Sequence, residues 1–120
     1  MLIFKCVSVA LPCMRIGIVL GTNDPETAWN AFRFGVTALK ANHAVKVFLL
    51  NKGVEVEDLQ DGKHDVRGAI NQFREAKGQI LACGTCLQAR ERNGSRVCLV
   101  SSLQELLKMV EESDKLLTFG

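Results

Sequence analysis

Short apolar runs alternate with helical patterns along most of this chain, and no other feature limits its fold so strongly. Ile16 to Leu20, stopped by Gly21, reads as a buried strand within residues 15–21. Asn23 or Asp24 can then cap a helix with Pro25 at its first position, running to about Asn42. In that helix Trp29, Phe32, Val36 and Leu39 recur at helical spacing and are expected to face the core. Ala28, Ala31, Gly35 and Ala38 form a small-residue face able to pack closely on a sheet or on a second subunit. Val45 to Leu50 is a second strand, and residues 51–64 are a long polar loop of the kind that is often functional or mobile. Asp65 to Lys77 reads as a second helix, with Val66, Ile70 and Phe73 inward and Gly78 as its stop. Gln79 to Ala82 is a third strand, Gly84 to about Arg92 a third helix, Arg96 to Val100 a fourth strand and Lys115 to Phe119 a fifth. Ser102-Leu103-Gln104-Glu105 is a capping box, opening a fourth helix whose Leu103, Leu106, Leu107 and Val110 give it one apolar face.

Strands alternating with helices predict an α/β domain with parallel strands, right-handed crossovers and helices on both faces of the sheet. Sites in such open sheets form beyond the carboxyl ends of the strands, so the loops after Leu20, Leu50 and Ala82 share one functional edge. The 120 residues suffice for a single domain with one core. Its formal charge of +2, from 15 basic and 13 acidic residues without a basic stripe, argues against nucleic acid as a partner. The lack of tyrosine, and a single Trp29 set in a helical pattern, argue against a base-stacking platform. No apolar run is long enough to span a bilayer, so no membrane partner is expected. Residues 1–13 are an N-terminal extension and 14–120 the domain; either Met14 is the natural start or the extension is dispensable. The extension faintly resembles a signal segment, but Pro12 before Cys13 fits a lipoprotein cleavage site poorly. Five cysteines are an odd number for a disulfide scaffold, so the expected compartment is reducing and cytoplasmic, with thiols kept free.

The chemistry concentrates at Cys83-Gly84-Thr85-Cys86, on the junction between the third strand and the third helix. A helix start offers unpaired N–H groups and the positive end of the dipole, and both favour the reactive thiolate. Several readings compete. Free cysteines are often inert core residues. A structural zinc would need two further ligands, and Cys98, His43 and His64 are poorly placed to supply them. A thioredoxin-type dithiol fits Cys-Gly-Xaa-Cys at a helix start, but Pro12 and Pro25 are the only prolines, and both precede the motif. A phosphatase loop would need arginine six positions after the nucleophile, where Cys83 has Ala89 and Cys86 has Arg92 without wrapping glycines. Gly21-Thr22-Asn23 is better read as a helix cap than as a phosphate loop, given Asp24 and Glu26.

The run from Cys83 to Arg90, Ser101-Ser102-Leu103-Gln104-Glu105-Leu106 and Ser113-Asp114-Lys115-Leu116-Leu117-Thr118-Phe119 together resemble the DsrE/DsrF-like family. The likeness extends to Arg15–Gly21, Asp24-Pro25-Glu26 and Gly53-Val54. That family includes the sulfur-relay subunits DsrE and TusD and the stand-alone YchN-like proteins. The resemblance implies a three-layer α/β/α sandwich with a parallel sheet, similar to flavodoxin, with five strands here. It also implies homo-oligomers, often trimers or hexamers, or hetero-oligomers of related subunits. In DsrE and TusD a cysteine matching Cys83 carries sulfur as a persulfide, whereas a second cysteine matching Cys86 belongs to the YchN-like branch.

On that resemblance Cys83 is expected to be the attacking thiolate of a sulfurtransferase-like persulfide carrier, and Cys86 a resolving thiol. Gly84 and Thr85 supply helix-start N–H groups, and Arg90 either steadies an anion or forms a surface salt bridge. The expected partners are a protein sulfur donor and an acceptor with reactive thiols, and no cofactor is called for. The alternatives are a CxxC dithiol redox protein and a non-catalytic assembly subunit joined through the Ala28/Ala31/Gly35/Ala38 face.

Overall fold

The computed structural model describes Phe4 and residues 13–120. The rest of the 1–13 extension lies outside the described residues. The elements are β1 (Arg15–Leu20), α1 (Pro25–Lys40), β2 (Ala44–Leu49), a 3-10 helix (Asn51–Asp58), α2 (Val66–Glu75), β3 (Gln79–Cys83), α3 (Gly84–Ala89), β4 (Leu99–Ser101), α4 (Leu103–Glu112) and β5 (Lys115–Phe119). All five strands are parallel in the order β4-β3-β2-β1-β5. The result is the three-layer α/β sandwich expected from the strand–helix alternation.

β1 and β2 lie at the centre, with Ile18, Leu20, Val47, Phe48 and Leu49 fully buried. α1 opens on Asp24, whose carboxylate accepts from the Thr27 N–H at 2.9 Å, so Asp24 rather than Asn23 is the cap. The small face of α1 is used inside the chain: Ala28, Ala31 and Ala38 are buried, and Gly35 lies against Phe73 of α2. A Cβ at Gly35 would come within 2.6 Å of the Phe73 ring, which itself meets Phe32 edge-on at 5.6 Å between centroids. That face therefore cannot join subunits, which corrects the assembly surface expected from the sequence. Of the four large residues expected inward, Phe32 and Val36 are buried, while Trp29 and Leu39 are half-buried at the rim.

The other sheet face carries Gly17, Lys46 and Leu116 in register, beneath α4. Gly17 admits α4 closely, since a Cβ there would meet Ser113 Oγ at 2.7 Å and Met109 Cε at 3.1 Å. Lys46 is buried beside the Phe4 ring, 4.9 Å from its centroid, and burial pushes its ammonium down while Glu112 and Glu105 of α4 oppose this. On α4 only Met109 is buried. Leu106 is half-buried, and Leu103, Leu107 and Val110 are exposed, so the single inward apolar face read from the sequence divides in two. β4 begins later than expected. Ser95 folds residues 95–98 into a turn, its Oγ accepting from the N–H groups of Val97 and Cys98 at 3.1 and 3.0 Å. Cys98 is accordingly buried in a turn, not in a strand.

Candidate functional site

The motif sits at the carboxyl edge of β3. Cys83 is the last residue of that strand and the N-cap of the six-residue α3, in extended conformation at φ −60° and ψ 117°. It follows Leu81 on one side of the pleat, pairs in register with Ser101 of β4, and is 3% exposed. Cys86 lies within the first turn of α3, half-buried, three residues after Cys83. Cys83, Cys86 and Cys98 are free thiols, whereas Cys13 is disulfide-bonded, against the expectation that every thiol is free.

The segment read from sequence as a polar loop supplies the rest of the site. Its first eight residues fold as the 3-10 helix, because Val54 and Val56 alternate inward around Glu55 and Gly53 fits against β1. A Cβ on Gly53 would lie 2.9 Å from the Leu20 carbonyl carbon and closer still to its oxygen. At the head of this helix Asn51 adopts φ +54°, a left-handed conformation that asparagine tolerates. The Asn51 N–H donates to Cys86 Sγ at 3.3 Å.

Glu55 fastens the same helix to α3. Its carboxylate accepts from Arg90 Nε at 2.6 Å and from Asn23 Nδ2 at 3.2 Å, and Arg90 Nη1 donates to the Cys86 carbonyl at 3.1 Å. Arg90 thereby takes the salt-bridge role weighed for it, with its guanidinium directed at Glu55 and the α3 backbone. The Arg90 hydrogen bond, then that of Asn23, holds the Glu55 carboxyl below the usual carboxylate range. Arg92 pairs in parallel with Asp58. Asn23, Asn51, Glu55 and Asp58 were missed as site residues; Gly53-Val54-Glu55-Val56 was the available signal, a small residue followed by alternating apolar positions.

The helix-start argument for a low thiol pKa does not hold at Cys86. Burial raises it first, the Cys83 thiol adds to this, and the Asn51 N–H opposes only in part. Cys98 is pushed up to about 12, chiefly by burial and next by Glu57, and is inert. Beside Cys83 lies an open cleft of about 550 Å³, bordered also by Gly84, Thr85, Ser101 and the start of α4. The Ser101 hydroxyl is buried there with no hydrogen-bond partner among the described residues. Also among the described residues, no group of three His, Cys, Asp or Glu side chains is placed to hold a metal ion, and no helix is long and apolar enough to cross a membrane.

Residues 14–119 match the model of the DsrE/DsrF-like family. The chain is similar to the uncharacterized protein MJ0989 of Methanocaldococcus jannaschii, at 30% identity over 100 residues covering 78% of this chain and 88% of the relative. It is equally similar to the uncharacterized protein MK0008 of Methanopyrus kandleri, at 30% identity over 100 residues covering 78% of this chain and 83% of the relative. With a match running from Met14 to Phe119 across every strand and the thiol pair, the chain belongs to the DsrE/DsrF-like family.

Proposed function

We propose that this protein accepts sulfane sulfur as a cysteine persulfide on the Cys83/Cys86 pair and passes it to the thiolate of an acceptor protein. Family membership supports sulfur relay at the level of the family. The observation that carries the reading for this chain is two free thiols three residues apart at a strand end, one of them receiving a backbone N–H. In the loading step a cysteine thiolate attacks the outer sulfur of a donor persulfide. A new S–S bond forms, the donor's S–S bond breaks, and the donor leaves as a thiolate. In the delivery step an acceptor thiolate attacks that same outer sulfur and restores the cysteine. Neither step calls for a cofactor. A reducing, cytoplasmic compartment, which would keep the Cys83/Cys86 pair as thiols, is part of the proposal; the Cys13 disulfide lies outside that pair and takes no part in either step.

Assembly is a second part of it. Leu103, Leu107 and Val110 form an exposed line on α4. Three large apolar side chains in one helical line fit an interface better than solvent. We assign it to a second copy of the chain in a homo-oligomer.

Intact-protein mass spectrometry after incubation with a polysulfide donor tests the reading. Wild type is expected to gain sulfur, or to release sulfide, in a manner lost in the Cys83→Ser/Cys86→Ser double variant. A redox dithiol would only lose two hydrogens, with no dependence on a sulfane donor.

A further inference from the structure

We infer that Ser101 holds the carried sulfur, its hydroxyl donating to the outer sulfur of a persulfide on Cys83 within the cleft. This rests on the sulfur-handling reading above and adds to it a residue of β4 that retains the cargo.

Register is the first ground. Cys83 and Ser101 are partners across the parallel ladder of β3 and β4, so their side chains leave the same face of the sheet from strands about 4.8 Å apart. Both border the same cleft. The resting thiol does not satisfy the hydroxyl, because Ser101 Oγ is buried with no hydrogen-bond partner among the described residues. An S–S bond is about 2.05 Å long, so the outer sulfur of a persulfide extends that far beyond Cys83 Sγ and shortens the gap that the thiol leaves.

The hydroxyl itself is the second. Burying a polar group without a partner costs free energy, and an orphan of this kind calls for an explanation outside the bonds of the fold. The other donors around the motif are engaged. Arg90 is on Glu55 and the Cys86 carbonyl, and Arg92 is on Asp58. The Asn51 N–H goes to Cys86 Sγ, and Ser102 Oγ caps α4 at the Glu105 N–H. Cys83 makes no side-chain cap bond to α3, so the N–H groups of that short helix do not hold its sulfur. Ser101 is a buried donor beside Cys83 with no other claim on it.

The bonds balance without an oxidant or reductant. The Cys83 thiolate attacks the outer sulfur of a donor persulfide, and the new S–S bond forms as the donor's S–S bond breaks. The proton on the outer sulfur passes to the departing donor thiolate, which leaves Cys83–S–S⁻. The Ser101 O–H then donates to the charged terminal sulfur, and hydrogen bonds to charged groups are the stronger kind. In delivery the outer sulfur regains a proton, the acceptor thiolate takes it, and Cys83 leaves as a thiolate. The Ser101 bond exists only while sulfur is aboard, so it favours retention over loss to small thiols in solution.

The test loads the full chain in a Cys86→Ser background, which keeps a second thiol of the motif from resolving the persulfide, with sodium tetrasulfide as the probe. Peptide mapping locates the sulfur, absorbance of the perthiolate anion across pH gives its pKa, and glutathione competes for the cargo. Adding Ser101→Ala is expected to lower the equilibrium partition onto Cys83 against glutathione by about 10-fold or more and to raise the perthiolate pKa by about one unit. Ser101→Thr, which keeps the hydroxyl, is expected to restore both. Without sulfur, Ser101→Ala is expected to unfold in urea at a midpoint equal to or above that of its Cys86→Ser parent, because the residue removed had no partner. Equal partition and equal pKa with and without the hydroxyl would overturn the role of Ser101 and leave the carrier reading intact. A lowered midpoint in the unloaded protein would assign the hydroxyl to the fold and overturn the inference as well. No sulfur on Cys83 in the Cys86→Ser background would also overturn it, and none on wild type either would overturn the carrier reading with it.

Discussion

Arg90→Ala and Glu55→Ala, singly and together, test whether the 3-10 helix is latched to the thiol pair. The Arg90–Glu55 contact is a charge-assisted bond of 2.6 Å between side chains that are 28% and 27% exposed. Bonds to charged groups contribute about 1.5–3 kcal/mol, and partial exposure brings this pair down to about 1–2 kcal/mol. Arg90→Ala also strips the Cys86 carbonyl of a donor, while Glu55→Ala frees Asn23. Urea unfolding of the four proteins should therefore show each single variant destabilised by about 1–2 kcal/mol, with a coupling of about 1 kcal/mol across the cycle. The sign of the pH dependence is fixed by Glu55, whose carboxyl is held below its usual range chiefly by Arg90. Its contribution is complete above the unfolded carboxyl pKa of about 4.3 and is lost as pH falls from there through the lower folded value. The coupling should accordingly be full at neutral pH and vanish in acid. Opening the latch should also raise the iodoacetamide rate at Cys86, because relief of the burial that raises its pKa outweighs loss of the Asn51 N–H. A neutral-pH coupling under about 0.3 kcal/mol, or an unchanged Cys86 rate, would refute the latch.

Gly53→Ala forces a Cβ into the Leu20 carbonyl and should cost about 2–3 kcal/mol in urea unfolding, whereas Gly62→Ala, with nothing within 4 Å, should lie within about 0.5 kcal/mol of wild type. Because burial and Cys83 push the Cys86 thiol up, its modification rate should keep rising above the ordinary thiol pKa of about 8.5, while Cys98 stays unmodified until the chain unfolds. A plateau below that pH would contradict the environment described for Cys86. Leu107→Glu is expected to shift the chain to monomer in sedimentation analysis and to abolish the concentration dependence of its unfolding midpoint, since Leu107 is 58% exposed within the chain and acts through the interface. An unchanged oligomeric state would remove α4 from the proposed interface.

The strands were legible because the central ones are apolar but for Lys46 in β2, as burial on both faces demands; Ile16–Leu20 and Val45–Leu49 could be little else. Two other elements were misread because a residue's hydrophobicity does not say what will cover it. Leu103, Leu107 and Val110 look like core residues to any rule of periodicity, yet Met109 and half-buried Leu106 anchor α4 and those three face outward. Asn51–Asp58 looks like a loop because its polar residues interrupt any helical stripe, yet Gly53, Val54 and Val56 suffice to seat a 3-10 helix. The different surroundings of the two thiols were hidden for a related reason. Spacing placed Cys83 and Cys86 at one sheet edge, and a helix start made either an adequate nucleophile on paper. What separates them is pleat parity. Cys83 ends β3 on the side of buried Leu81, while three residues of helix carry Cys86 around to the rim that faces Asn51. The pair therefore takes its two environments from the strand-to-helix junction as much as from the motif.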